Sequence, residues 1–195
     1  YIAKVDPTTT LVLDQYKEVK DRMQLALQTE FAKDLKQWNA ELLGDMTIRF
    51  NDPTVQFSVG SAELTPEFKA LISDFFPRYL EIIRSPTFKD AVREIRIEGH
   101  TSRFWQGANE QDAYFLNMEL SQRRTSSTLK FIMELPAFAK DGEWLRSHIT
   151  ANGLSYSRPV VSAPHKASEE KRNQRVEFRI VTNAAQRFEE LIQAR

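Results

Sequence analysis

The stretch from Ile95 to Leu135 constrains the fold more than any other. It opens as IRIEGHTS, with Ile95 and Ile97 on one side and Arg96 and Glu98 on the other, the alternation of a strand with one face buried. Gly99 breaks the alternation. After a polar and aromatic loop, NMELSQRRTSSTLKFIMEL takes helical spacing, with Leu120, Thr128, Ile132 and Leu135 along one stripe. Arg124 lies in that same stripe, and Asn117 and Ser121 flank it. Burying an unpaired charge is expensive. Arg124 therefore either has an internal carboxylate partner, for which Glu98 and Glu177 are the candidates, or lines a site that receives an anion.

The rest of the chain surrounds this centre with alternating and helical segments. Residues 1–10 read as a linker ending in threonines able to cap a helix. From Leu11 to Leu43 there is no proline or glycine, and Val12, Tyr16, Val19, Met23, Leu27, Phe31, Leu35, Trp38 and Leu42 recur in steps of three or four. The spacing predicts one long amphipathic helix stopped by Gly44. Its second half, Phe31 to Leu42, is expected to pack on its own domain; for its start, pairing with a second copy stays open. MTIRF at 46–50 and VQFSV at 55–59 both alternate and predict a hairpin or bent strand pair. Thr65 and Pro66 open the next helix, buried through Phe68, Leu71, Ile72, Phe75, Tyr79, Ile82 and Ile83. Pro77 inside it predicts a kink or break near Phe76. Residues 136–147 read as a loop burying Phe138 and Trp144, 148–152 as a short strand closed by Gly153, and 154–173 as loop. Residues 175–181 read as the last strand, and 184–195 as a helix.

No strand is the continuous apolar run of a sheet covered on both faces. The pattern therefore predicts an α/β (α+β) two-layer sandwich, one mixed sheet with helices on one face. Lysine plus arginine equals aspartate plus glutamate, 27 each, so nothing favours nucleic acid as a partner. There is no cysteine, hence no disulfide frame and no thiol chemistry. No apolar run approaches the roughly 18–20 residues of a membrane span, and the chain reads as a soluble piece of a longer protein. No nucleophile elbow, phosphate-binding glycine loop or zinc spacing is present, so no enzymatic activity is expected. His100, His148 and His165 lack paired-ligand spacing, and His100 reads as a structural strand-end residue.

GHTS followed by N-x-E-L-S-x-x-R resembles the signature of the OmpA/MotB C-terminal domain, a peptidoglycan-binding module of Gram-negative envelopes. Gly99, His100 and Thr101 match its strand end, and Asn117, Leu120, Ser121 and Arg124 match its helix; Thr125 stands where the family usually has alanine. NQRVEFRI resembles the family's closing strand through Arg175, Val176 and Glu177, and VQFSVGSAELTPE its opening strand and helix start. More narrowly, GHTS, the Trp105 loop and AYFLNMELSQ are similar to the MotB-like subunits of Zorya-type anti-phage systems.

The resemblance implies a βαβαββ core preceded by the long helix: linker and helix over 1–44, the wall-binding domain over 45–183, and the C-terminal helix over 184–195. It implies a non-catalytic periplasmic anchor that binds the diaminopimelate of peptidoglycan without cofactor or metal. Its ligand-binding residues would be Thr101, Ser102, Asn117, Leu120, Arg124 and Arg175. The forked guanidinium of Arg124 would hold the carboxylate, with Arg175 as a second positive group. It also implies a homodimer, a MotA-like membrane partner, and inner-membrane anchoring through a transmembrane helix upstream of Tyr1. Ser102 departs from the family, which has aspartate there to hold the diaminopimelate ammonium. A hydrogen bond to a charged group contributes roughly 1.5–3 kcal/mol, so its loss weakens binding about 10- to 100-fold unless Ser102, Glu110 or Asp112 compensates. Two other readings remain: a passive outer-membrane tether of OmpA or Pal type, and a dimerisation or sensing module that has lost the ligand. Phe104, Trp105, Tyr114 and Phe115 are expected chiefly to pin the long loop, with stacking on glycan as the alternative.

Overall fold

Nine residues from Val92 to His100 form a strand beside the central one of a five-stranded mixed sheet. In chain order the strands are β1 (Ala40–Leu42), β2 (Thr47–Phe50), β3 (Val92–His100), β4 (Ile149–Gly153) and β5 (Arg175–Thr182), arranged β1-β2-β5-β3-β4. β4 runs parallel to β3, and the other neighbours are antiparallel. The helices are α1 (Pro7–Phe31), α2 (Asp34–Gln37), α3 (Pro53–Gln56), α4 (Pro66–Ile83), α5 (Glu110–Glu134), α6 (Gly142–His148) and α7 (Ala167–Lys171), with a 3-10 turn at Pro136–Phe138. The computed structural model describes residues 7–139, 141–162 and 167–184. From β2 onward the order reproduces the expected βαβαββ core, and β1 adds an edge strand to it.

Period-two alternation sorts each strand into an apolar and a charged face. Ile48, Phe50, Ile95, Ile97, Val176, Phe178 and Ile180 point into the core beneath α1 and α4. Phe178 meets Phe75 and Phe76 of α4 at ring distances of 5.1 and 5.8 Å. Met23, Leu27 and Phe31 of α1 are fully buried, each contributing about 1.5–3 kcal/mol. So α1 packs on its own domain from about Tyr16 onward, where the Tyr16 hydroxyl accepts from Thr182 at 2.9 Å and Val19 meets the core, while Leu11, Leu13 and Leu25 stay exposed. Arg78 of α4 clamps it there, donating to Glu30 at 2.6 Å and to Asp34 at 2.7 Å.

Several expectations give way to tertiary context. The long helix stops at Phe31 instead of running to Leu43. Asn39, at φ +48°, turns the chain, and Ala40–Leu42 pair with β2 as an edge strand. VQFSV is not a strand. Asp52 caps α3 by accepting from the Thr54 amide at 3.0 Å, Pro53 occupies the first turn, and only Phe57 makes a bridge, to Leu64. α4 starts as expected, with Thr65 accepting from the Phe68 amide, but runs unbroken through Pro77. The aromatic packing of Phe75, Phe76 and Tyr79, all fully buried, outweighs the missing hydrogen bond. Residues 136–147 hold a 3-10 turn and α6 in place of a loop; Phe138 is buried there and Trp144 half-buried. α5 begins at Glu110, seven residues before Asn117, so the loop after β3 is shorter than the sequence implies. α7 interrupts the expected 154–173 loop. Of the linker expected over residues 1–10, residues 1–6 lie outside the described residues and 7–10 are already the first turn of α1 in place of a linker; the helix expected over 184–195 lies outside the described residues apart from residue 184. No helix among the described residues is long and apolar enough to cross a membrane.

Two glycines let α5 lie against the sheet. A Cβ at Gly99 would come within 2.7 Å of Thr125 Cγ2 and 3.0 Å of the Ser121 carbonyl oxygen. One at Gly153 would come within 2.3 Å of the Gln122 amide nitrogen. Gln122 Oε1 accepts from the Gly153 amide at 2.7 Å, and Ser121 Oγ accepts from the Ser155 amide at 3.0 Å. The edge of β4 is thus satisfied by the helix.

Candidate functional site

Close seating of α5 brings its polar stripe over the C-terminal end of β3. Asn117, Leu120, Ser121, Arg124, Thr125 and Thr128 are all buried on that stripe. A cleft of about 240 Å³ opens between α5, the loop after β3 and the bend over residues 58–61. Thr101, Ser102, Asn117, Leu120 and Arg124, five of the six residues expected to bind ligand, line it together.

Arg124 is 8% exposed and has no carboxylate partner among the described residues. Its Nε donates to the Ser61 carbonyl at 2.8 Å and one terminal nitrogen to the Ser58 carbonyl at 3.3 Å. Its guanidinium carbon stands 4.9 Å from the centre of the Phe57 ring. Burial lowers its pKa to about 10, which still leaves it charged at neutral pH. Gly60, at φ +71°, makes the bend that aims these carbonyls inward. Of the two possibilities left by the sequence, internal pairing with Glu98 or Glu177 is therefore not what holds Arg124.

The neutral groups of the cleft are prepared in the same way. The Thr101 amide donates to the Ser155 carbonyl at 2.9 Å, which fixes the strand end, while its buried Oγ1 has no hydrogen-bond partner. Asn117 Nδ2 reaches the Phe104 carbonyl only at 3.5 Å. Val59, Phe104, Trp105 and Leu120 supply apolar walls, and Gln106 and Gln174 supply amides. Among the described residues no carboxylate lines the cleft. Asp112 is tied to the Asn109 cap of α5, and Glu110 lines a separate cleft of about 460 Å³ beside Phe104, Trp105 and Tyr156. Phe104 is 70% exposed and Phe115 is also exposed, so neither pins the loop; Tyr114, on α5, packs edge-on against Tyr156, in the turn after β4, at 5.3 Å.

Arg175 does not join the cleft. It is buried at the start of β5, where Nε donates to Glu177 at 2.7 Å and its terminal nitrogens donate to the carbonyls of Asn173 and Arg158. It belongs to a buried charged layer on the face of the sheet opposite the apolar core. Glu177 also accepts from Arg49 at 2.8 Å, and Glu98 lies 3.2 Å from Arg179 and 3.8 Å from Arg158. His100 Nε2 lies 3.7 Å from Glu177 and 3.8 Å from Glu98, too far for hydrogen bonding, and both ring nitrogens are unpartnered. Burial pushes the His100 pKa down against the pull of Glu177. Glu98, His100 and Glu177 offer ligand atoms within 4.8 Å of one another, as a metal site would. Four arginines already pair with the two carboxylates, and Glu41 and Asp45 share two of those arginines, so neither carboxylate offers an uncompensated charge to a cation.

Sequence reasoning missed the Ser58–Ser61 carbonyls, Gln106 and Gln174. The only signal for the first was the glycine within SVGS, which favours a bend over a strand.

No family model matches the chain. It is 39% identical over 180 residues to the Zorya protein ZorB of Escherichia coli, covering 91% of this chain and 75% of that one. Among solved structures it is similar to the cell wall anchor of the type VI secretion system (T6SS) from Pseudomonas aeruginosa, at TM-score 0.56 and 22% identity over 80% of this chain and 96% of that one. It is equally similar in fold to a protein described as MotB-like from Desulfovibrio vulgaris, at TM-score 0.56 and 20% identity over 90% and 99% of the two chains.

Proposed function

Because the chain belongs to the ZorB family, we propose that it is a non-catalytic periplasmic anchor that holds a MotB-like membrane subunit to peptidoglycan. The observation that carries this reading is the buried, anion-free Arg124 in an open cleft. A cation stripped of water and left without a counter-charge is costly, and a ligand carboxylate repays the cost through two parallel charge-assisted hydrogen bonds. Thr101, Ser102 and Asn117 supply neutral hydrogen bonds, and Leu120 the apolar floor. The carboxylate is that of a diaminopimelate residue in the wall peptide. The likeness of the fold to a cell wall anchor supports the same assignment.

In this reading residues 45–183 are the wall-binding domain and α1 is the connector toward a membrane-spanning segment. The intact protein is a homodimer seated in the inner membrane with a MotA-like partner, serving anti-phage defence. The test is co-sedimentation with purified diaminopimelate-type sacculi, comparing the chain with Arg124→Ala. Wild type is expected in the pellet and the folded variant in the supernatant. If neither pellets, the domain is a dimerisation or sensing module that has kept the fold and lost the ligand.

A further inference from the structure

The cleft contains a cation and no anion, and that asymmetry bears on which carboxylate it accepts. A free amino acid end is a zwitterion: its carboxylate lies within a few ångströms of an ammonium. Around Arg124 the side chains that could meet the second group are Thr101, Ser102, Asn117, Gln106 and Gln174, all neutral. Glu170, a buried carboxylate bonded to the same loop, faces away from the cleft; it accepts from the Arg103 amide and from Asn173 Nδ2. An ammonium entering here loses water, gains no counter-charge, and sits beside a guanidinium of like sign. A secondary amide at the same position suffers none of these costs. Its N–H can donate to Ser102 Oγ, which is half-buried on the cleft wall, and its carbonyl can accept from the Gln106 or Gln174 amide. The acyl group can lie against Phe104, Trp105 and Val59, which are exposed or half-buried.

We propose that the cleft reads a carboxylate whose neighbouring nitrogen is acylated, in preference to the zwitterion. At the distal centre of diaminopimelate this distinguishes cross-linked stems, where the amine has been consumed in an amide, from uncross-linked stems, where it is free; the α-carboxylate of the γ-linked glutamate is the same in both. The proposal rests on the wall-anchor reading of the same site. It makes Ser102 a specificity residue, because a serine does not demand the charge that an aspartate would pair with.

The experiment is a calorimetric titration of the chain with two synthetic tripeptides, L-alanyl-γ-D-glutamyl-meso-diaminopimelate with its glutamyl α-carboxyl and L-centre carboxyl both blocked as amides, so that only the distal carboxylate remains, and with its distal amine either free or acetylated. The acetylated peptide is expected to bind at least tenfold tighter. Ser102→Asp, whose fold is checked by circular dichroism, is expected to reverse the order. Equal or tighter binding of the free-amine peptide to wild type overturns the proposal, and so does failure of both peptides to bind. Sacculus pelleting separates the two ideas: retention that is lost in Arg124→Ala keeps the anchor reading even when the peptide preference fails, and absence of retention removes both.

Discussion

Arg124 and Arg175 are both buried, and the protein holds them in opposite ways. Arg175 spends its fork on Glu177 and two backbone carbonyls. Arg124 has carbonyls, an aromatic face and open space. Around Arg175 the charges interlock: Glu177 is shared with Arg49, and Glu98 is reached by Arg179 and Arg158. Glu98 and Glu177 are direct cross-strand neighbours, a pairing of like charges that only this surrounding positive charge makes tolerable. A saturated cation belongs to the fold. An unsaturated one marks a site, because a burial cost with no internal return persists where a ligand supplies the return.

Converting one arginine to the other's condition gives the largest expected effect. Glu177→Ala leaves Arg175 buried without its carboxylate and removes a partner of Arg49. Breaking a buried pair from one side costs about 3–5 kcal/mol. Urea unfolding should show a loss of that size with an unchanged m-value. A loss under about 1 kcal/mol would mean that water already neutralises the layer, and the contrast with Arg124 would dissolve.

The same layer sets the acid limb of stability. Burial pushes the Glu177 carboxyl up, but the Arg175 guanidinium, donating to it at 2.7 Å, outweighs burial and holds the carboxyl well below the usual range. Its contribution is present above the unfolded value of about 4.3 and is lost as pH falls below it. His100 is pushed down by burial, although Glu177 on β5 and Glu98 on its own strand pull it up, and Arg175 opposes them. It is neutral in the fold, whereas the unfolded imidazole takes a proton below about 6.5. Its contribution is complete above that value and fades as pH falls toward the folded pKa. Both groups therefore act in one direction, and stability should decline from about pH 6.5 downward, with a slope of at most about 1.4 kcal/mol per pH unit from His100 alone. Unfolding free energies measured between pH 7 and 5 should flatten in His100→Gln. An unchanged slope would place the proton uptake elsewhere.

These particulars also indicate which parts of the molecule are legible in its residues. β3, β5, α4 and the stripe of α5 can be read because one physical demand, burial on one face, fixes their periodicity. The cleft can be read because Arg124 violates that demand within a recognisable signature. The end of α1 cannot, because Leu35, Trp38 and Leu42 satisfy the core equally well from a helix or from a short helix followed by β1. What decides is the pairing of Ala40–Leu42 with β2, a contact that leaves no local trace. α3 was hidden by an alternation of apolar residues that Asp52 and Pro53 override through capping. The surroundings of Arg175 were hidden for a related reason: the position of an arginine is written in the chain, but whether its fork is already occupied is settled by Glu177 and by the carbonyls of Asn173 and, 17 positions upstream, Arg158.

The smallest effects sharpen the comparison most, and they come from two adjacent arginines. Arg124→Met removes a buried cation along with its two carbonyl contacts, and the desolvation regained offsets the bonds lost. Its stability should stay within about 1 kcal/mol of wild type, against the several lost at Glu177, while sacculus retention disappears. Arg123 is one residue away and points outward. It is 56% exposed and lies 3.7 Å from Glu119, itself 67% exposed, an arrangement in which removal changes stability by less than about 0.5 kcal/mol. Arg123→Ala removes the same formal charge as Arg124→Met. If retention on sacculi reflected only attraction between a cationic helix and an anionic wall, the two variants would lose it equally, and moderate salt would abolish it in wild type. If retention reflects a desolvated guanidinium meeting one carboxylate, Arg123→Ala should pellet like wild type at both low and moderate salt, and only the buried position should matter.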